Sequence, residues 1–136
     1  MKVKFICLNL WLGGKLLEQI LSFLEREKPD ILAVQEVYDS KGGLEERFRS
    51  TAIIKKFCAF KYHFFSPSCT AVFPDKKIPA GNAIFSKFPI VDSDTIFTFS
   101  SFAEVDNYED PTETDFSLVP RNLQHAKINI NNVKIK

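Results

Sequence analysis

Apolar residues cluster in two short blocks near the start of the chain, Val3 to Leu8 and Ile31 to Val34. Each block runs into polar residues, Asn9 after the first and Gln35 and Glu36 after the second. Between them Leu16, Leu17, Ile20, Leu21 and Leu24 recur at helical spacing, with Glu18, Gln19, Glu25 and Arg26 mostly on the other face. The pattern predicts two buried strands joined by an amphipathic helix. Pro29-Asp30 ends the helix, because proline disfavours helical geometry in the residue before it. This is a βαβ unit, whose two strands are parallel and end on the same side of the sheet. Neighbouring strands lie about 4.8 Å apart, and ligand sites in open α/β sheets favour the crevice beyond the strand C-termini. The pattern therefore sets the Asn9 amide beside the Glu36 carboxylate, where the two can share one small ligand or ion.

Further along, Asp39 to Gly43 reads as a turn and Leu44 to about Phe57 as a second helix, with Leu44, Phe48, Ala52 and Ile53 as its apolar side. Lys61 to Phe65 and Ala71 to Phe73 read as two short strands before a loop from Pro74 to Pro79. Gly81 to Ser86 is a further strand, broken at Lys87-Phe88-Pro89, and Ile90 to Phe99 resumes with strand alternation. A long polar loop fills Ser100 to Pro120. The last segment, Asn122 to Ile130, carries Ala126, Ile128 and Ile130 on one face and His125, Lys127 and Asn129 on the other. Asn131-Asn132 then makes a hairpin turn into a new strand, Val133 to Lys136. A strand that has just turned back on its partner leaves an open pairing edge, so the chain reads as truncated. With no repeat or linker inside it, residues 1–136 are expected to form a single, incomplete domain.

Composition narrows the picture. At 136 residues the chain is short for two packed sheets, and one core is expected. With 45% hydrophobic and 26% charged residues it is neither disordered nor membrane-spanning. A formal net charge of +1 gives no general pull towards nucleic acid, so a polyanionic substrate has to be held by a local site. Cys7, Cys58 and Cys69 are odd in number and widely spaced, which points to a reducing compartment, the cytoplasm. Lys2 and Lys4 followed by Phe5 to Leu12 faintly imitate a signal peptide, but Asn9 interrupts the apolar run and no small-residue cleavage site follows. The fourteen phenylalanines point to burial between layers.

Several motifs occur in order: Cys7-Leu8-Asn9-Leu10-Trp11, Pro29-Asp30-Ile31-Leu32-Ala33-Val34-Gln35-Glu36, Gly81-Asn82-Ala83-Ile84-Phe85-Ser86-Lys87-Phe88-Pro89-Ile90, and Arg121 before the last long strand. With these the sequence resembles the endonuclease/exonuclease/phosphatase superfamily, which includes Mg²⁺-dependent DNA-repair endonucleases, DNase I, sphingomyelinases and inositol phosphatases. The resemblance implies part of a DNase I-like four-layer α/β sandwich, a mixed sheet with flanking helices, of which these residues supply roughly the first sheet and its helices. It also implies that Glu36 binds a catalytic Mg²⁺ or Mn²⁺, that Asn9 supports the metal and phosphate site, and that Asn82 and Arg121 meet the substrate. The implied substrate is a phosphorylated small molecule or nucleic acid. The chemistry suits these residue types, because Mg²⁺ takes hard oxygen ligands, keeps several waters and is commonly held by one or two carboxylates plus phosphate oxygens. The family's remaining groups, an Asp-x-Asn pair and a terminal Asp-His whose histidine activates water, have no counterpart in this sequence. That departure implies that the chain alone is inactive.

Plainer readings stand beside these. By itself, Glu36 reads as a solvated turn residue after a buried strand and Asn9 as a strand-end turn former. Gly81-Asn82 can be a turn entering a strand, and Arg121 a surface cation. His63, in an aromatic strand, and His125, alternating with Lys127, read as structural. Gly13-Gly14-Lys15 lacks the earlier glycine and the hydroxyl residue of a phosphate loop. Glu104, Asp106, Glu109, Asp110, Glu113 and Asp115 read as a solvated, mobile acidic loop without calcium-loop spacing. Beside a site, that loop would repel a long polyanion and favour a small phosphorylated substrate. A second class of function stays open: a non-catalytic truncated product that pairs an exposed sheet with a partner chain, with another copy of itself or with a missing C-terminal half. An unrelated nucleotide-binding module lacks its Gly-rich fingerprint.

Overall fold

The computed structural model describes every residue except Met1, Gly43 and Lys136. The ends of the expected turn at Gly43 and of the expected last strand at Lys136 therefore lie outside the described residues. The βαβ unit forms, with β1 (Phe5–Asn9), α1 (Leu17–Glu27) and β2 (Ile31–Tyr38), β1 and β2 parallel and Phe5 opposite Ile31. However, β2 does not stop at Gln35 and Glu36 as expected and runs on through Val37 and Tyr38, which are buried. Lys28 ends α1 in the left-handed conformation, donating its N–H to the Leu24 carbonyl, one residue ahead of Pro29.

The second helical segment differs from the expected single helix. A 3₁₀ turn, Glu46–Arg49, runs into α2 (Ser50–Phe57), and the buried positions are Phe48, Ser50, Thr51 and Ile54, while Ala52 is exposed. A 3₁₀ turn advances three residues per turn where an α-helix needs 3.6, so it rotates the apolar face of the helix after it. The hydroxyls fix the docking: Ser50 Oγ accepts from the Tyr38 N–H at 3.0 Å and Thr51 Oγ1 donates to the Tyr38 carbonyl at 3.1 Å.

The two short strands expected around Phe65 and Phe73 are one strand, β3 (Tyr62–Phe73), and the expected loop from Pro74 belongs largely to β4 (Lys76–Ser86). The β3–β4 register slips between Pro67 and Cys69, which lets a residue without an N–H sit in a strand. β5 (Ile90–Phe99) has the bounds expected. The acidic stretch is not purely loop. It contains β6 (Ala103–Asp106), parallel to β3, and buries Tyr108 and Val119. β7 (Arg121–Ile130) and β8 (Val133–Ile135) complete the described chain, joined by Asn131 and Asn132 with φ of 48° and 68°. Positive φ at both central residues is the signature of a type I′ hairpin turn.

Two sheets result, a five-stranded one in the order β1-β2-β4-β3-β6 and a three-stranded one in the order β5-β7-β8. The expectation of one core, and of a single sheet supplied by these residues, is thereby corrected. One buried cluster lies between the helices and the first sheet, around Leu24, Leu32, Val34, Ile54 and Phe85. A second, with Tyr38, Phe48, Ile78 and Tyr108, lies under the 3₁₀ turn and the acidic stretch. A third, Ile31, Ile128 and Ile130, joins the two sheets. The intersheet cluster is small because polar side chains take up part of that layer and an apolar crevice stays open in another part of it. Two sheets share this short chain because only the five-stranded sheet carries a large apolar core, on its helix side, while the contact between the sheets is a small cluster.

Candidate active site

Asn9 is the last residue of β1 and stands in register with Gln35. Ile6 and Leu8 pack into the helix-side core, so strand alternation turns Cys7 and Asn9 towards the second sheet. Glu36 reaches the same place by another device. The pairing of β2 with β4 slips between Val34 and Val37, and Glu36, inside the slip, has φ of 57°. A bulge re-aims a side chain, and here it swings the carboxylate onto Asn9. Asn9 Nδ2 donates to Glu36 Oε1 at 3.0 Å, and the Leu12 N–H donates to Oε2 at 2.8 Å. Asn9 Oδ1 accepts the Trp11 N–H at 2.7 Å, which fixes the amide's orientation.

The loop after β1 is wound tightly around this pair. Trp11 and Leu12 have φ of 57° and 49°, and the Gly13 N–H donates to the Glu36 carbonyl at 2.7 Å. A Cβ on Gly13 would lie 2.0 Å from Tyr38 Cδ2, so only glycine lets the loop close. Left-handed non-glycine residues persist only where their surroundings over-determine them, and such strain gathers at functional sites.

A cavity of about 260 Å³ opens at this point. All four residues singled out from the sequence line it: Asn9, Glu36, Asn82 and Arg121. Gly81 is in its wall, where a Cβ would meet the Ser66 carbonyl at 2.1 Å. Asn82 Nδ2 donates to Asn122 Oδ1 at 2.9 Å, and Asn122 Nδ2 donates to Ser66 Oγ and the Pro67 carbonyl, both at 3.1 Å. Gln124 Nε2 donates to the Phe64 carbonyl at 2.8 Å, and Ser66 and Thr95 hydroxyls share a hydrogen bond of 2.7 Å. This polar seam joins the two sheets behind the cavity. Arg121 Nη2 donates to the Phe116 carbonyl at 2.8 Å, which uses one of five guanidinium N–H donors.

Sequence reasoning missed Asn122 and Tyr108, which also line the cavity. Asn122 had a signal, since it shares the inward face of β7 with Ala126, Ile128 and Ile130, where an amide is out of pattern. Tyr108, 6% exposed, comes from the acidic stretch, and nothing in the local pattern marks it. Burial pushes its phenol well above the ordinary range, with Cys69 and Glu36 adding to the shift. It therefore stays a neutral hydroxyl. Neither histidine lines the cavity. His63 stacks on Phe85 with ring centroids 6.0 Å apart, and His125 faces Asp94 across the β5–β7 pair.

Whether the residues present suit a divalent ion depends on the donor set. Among the described residues, no three His, Cys, Asp or Glu side chains gather as metal ligands. The cavity offers one carboxylate, Glu36, each oxygen of which accepts one hydrogen bond and keeps further acceptor capacity. One preoriented carboxylate, to which Asn9 turns its Nδ2 and not its oxygen, fits Mg²⁺ or Mn²⁺ anchored by Glu36 and completed by water and phosphate, and does not fit a closed all-protein cage.

Residues 6–126 match the family model described as "Endonuclease/Exonuclease/phosphatase family". The chain belongs to that family. Two solved structures share its fold. One is the endonuclease/exonuclease/phosphatase from Beutenbergia cavernae DSM 12333, with a TM-score of 0.67, 14% identity, and 97% of this chain covered against 36% of that one. The other is an endonuclease/exonuclease/phosphatase family protein from Leptotrichia buccalis C-1013-b, with a TM-score of 0.62, 16% identity, and 98% covered against 51%. The chain thus spans about a third to a half of the length of these structures. No curated protein sequence matches it.

Proposed function

We propose that residues 1–136 form the N-terminal part of a metal-dependent phosphoester hydrolase domain and carry one half of its site. The carrying observation is the Asn9–Glu36 hydrogen bond of 3.0 Å at the mouth of a cavity that Asn82 and Arg121 also line. In this reading Glu36 holds Mg²⁺ or Mn²⁺, with Asn9 beside it as ligand or orienting amide. The ion, when bound, neutralises charge developing on the phosphoryl oxygens and activates water. The chain's own groups do the rest: Asn9 and the Leu12 N–H fix the carboxylate, Arg121 supplies a cation for a phosphate oxygen, and Asn82 forms the wall where substrate lies.

The share of the two solved structures that the chain spans supports the half-site reading, as does the single carboxylate in the cavity. The chain accordingly binds the ion but turns over no substrate alone. The substrate is a phosphorylated small molecule or nucleic acid. The acidic stretch, whose Tyr108 lines the cavity, favours the smaller class, because carboxylates beside a site repel a long polyanion. Three unpaired thiols, Cys7, Cys58 and Cys69, support a cytoplasmic location. No described helix is long and apolar enough to cross a membrane. The test is hydrolysis of bis(p-nitrophenyl) phosphate with Mg²⁺ by a polypeptide in which these residues are continued to family length. Loss of turnover in Glu36→Ala is expected, and unchanged turnover would remove the role given to Glu36.

A second, non-catalytic reading has its own observation. An apolar crevice of about 630 Å³ lies between the sheets, lined by Phe5, Ala33, Ile84, Ile128 and Ile135 among others, with the β1 and β8 edges open beside it. Phe5 is 60% exposed there. Open edges and an apolar lining suit self-association, or pairing with a complementary C-terminal half.

A further inference from the structure

We propose that Arg47 and Glu109 are positioning residues that set the Glu36 carboxylate through the loop after β1. The proposal rests on the reading of Glu36 as the ion-binding group. Leu12 is held from both sides. Its N–H donates to Glu36 Oε2 at 2.8 Å, and its carbonyl accepts from Arg47 Nη1 at 3.3 Å. The next N–H along, that of Gly13, donates to the Glu36 main-chain carbonyl. The Leu12–Gly13 peptide is therefore gripped by Arg47 at its oxygen and by Glu36 at its nitrogen. Leu12 sits at φ of 49°, a conformation the chain leaves unless something holds it.

Arg47 is itself held. Its Nη1 lies 2.5 Å from Glu109 Oε1, and that same oxygen accepts the Tyr38 hydroxyl at 2.8 Å. The guanidinium carbon lies 4.0 Å from the centre of the Phe48 ring. Both charged side chains are largely covered, at 23% and 17% exposed, so the pair is not a loose surface contact. Arg47 pairs with Glu109 and, through Nε at 3.5 Å, with the exposed Glu45, and among the described residues it makes no ion pair with Glu36. The cation thus orients the loop while leaving the Glu36 carboxylate to a different partner. The same contact anchors the acidic stretch at Glu109, next to Tyr108 in the cavity wall.

The test uses the 136-residue chain, read by amide hydrogen exchange at Leu12 and by Mn²⁺ titration. Residues behind a metal ligand typically change affinity 10- to 100-fold, so Arg47→Ala is expected to raise the Mn²⁺ dissociation constant about tenfold and to speed exchange at Leu12. Glu109→Ala should move both readouts the same way. Glu109→Gln keeps an oxygen for Tyr38 and Arg47 and should restore both towards the wild-type values. Wild-type values for exchange and affinity in a folded Arg47→Ala chain would overturn the proposal, and if that variant does not fold, Glu109→Ala decides by the same two readouts. If the wild-type chain takes no Mn²⁺, the hydrolase reading fails on its own account. Leu12 exchange then decides positioning alone: faster exchange in Arg47→Ala sustains it, and unchanged exchange overturns it.

Discussion

Among single residues, the site is a product of backbone geometry more than of side-chain chemistry. Parallel pairing made the Asn9–Glu36 neighbourhood legible, because that consequence follows from topology, although β2 continues past Glu36 to Tyr38 and does not end there. The bulge that turns Glu36 was not legible, since the residues around it continue an ordinary strand pattern and its cause is the pairing with β4. Asn82 was marked by the Gly81–Ile90 motif of the resemblance, but its hydrogen-bond partner, Asn122, lies 40 positions away and was not legible. Gly81 has no room for a side chain. A methyl group would press on the Ser66 carbonyl at 2.1 Å and on Pro67 Cα at 2.7 Å, both backbone atoms of the adjoining strand. Gly81→Ala should therefore cost about 1–3 kcal/mol of stability, the usual range for overpacking, as read from urea unfolding.

Among the helices and strands, apolar spacing defined α1, β1, β2 and β5 well, and proline obscured β3 and β4. Pro67 sits at a register slip and Pro79 opposite Thr70, so strands that read as broken are continuous in space. The 3₁₀ turn before α2 hid the true buried face, because it shifts the phase of the apolar positions within the segment. How β1 is tied down has a pH consequence. The Lys4 N–H donates to Asp30 Oδ2 at 2.9 Å and Lys87 Nζ lies 3.1 Å from Oδ1, joining the start of β1 to the chain beyond β4. That N–H first, and then Lys87, hold the Asp30 carboxyl below the ordinary carboxylate range despite an opposing effect of burial. Because the folded-state value is depressed, the stabilisation is present above the unfolded value and disappears as pH falls through the folded one. Asp30→Asn should accordingly be less stable than the wild type near neutral pH, with the gap closing below about pH 4, as followed by thermal unfolding across pH.

Across the whole molecule, the described residues form three layers: helices, a five-stranded sheet and a three-stranded sheet. A short chain is too small for two sheets only if each sheet needs a full apolar interior, and here only the five-stranded sheet has one. A polar seam of Asn82, Asn122, Gln124, Ser66 and Thr95 fills part of the interlayer and also backs the cavity. The exposed pair Ile96 and Leu123, opposite one another on β5 and β7, lies on the face that these layers do not cover. If the chain associates through its open edges and crevice, sedimentation velocity should show a concentration-dependent dimer or larger species. A monomer at every concentration would argue against self-association.

Both the half-site reading and the positioning role of Arg47 depend on Glu36, held by Asn9 and the Leu12 N–H, as the group in this chain that takes a divalent ion. The decisive experiment is paramagnetic broadening of backbone and side-chain amide signals during a Mn²⁺ titration. Selective broadening is expected at the Asn9 side-chain amide and the Trp11 and Leu12 N–H signals, abolished in Glu36→Gln with the remaining spectrum intact. Broadening that persists unchanged in Glu36→Gln, or that spares these three groups in the wild type, would contradict that assignment.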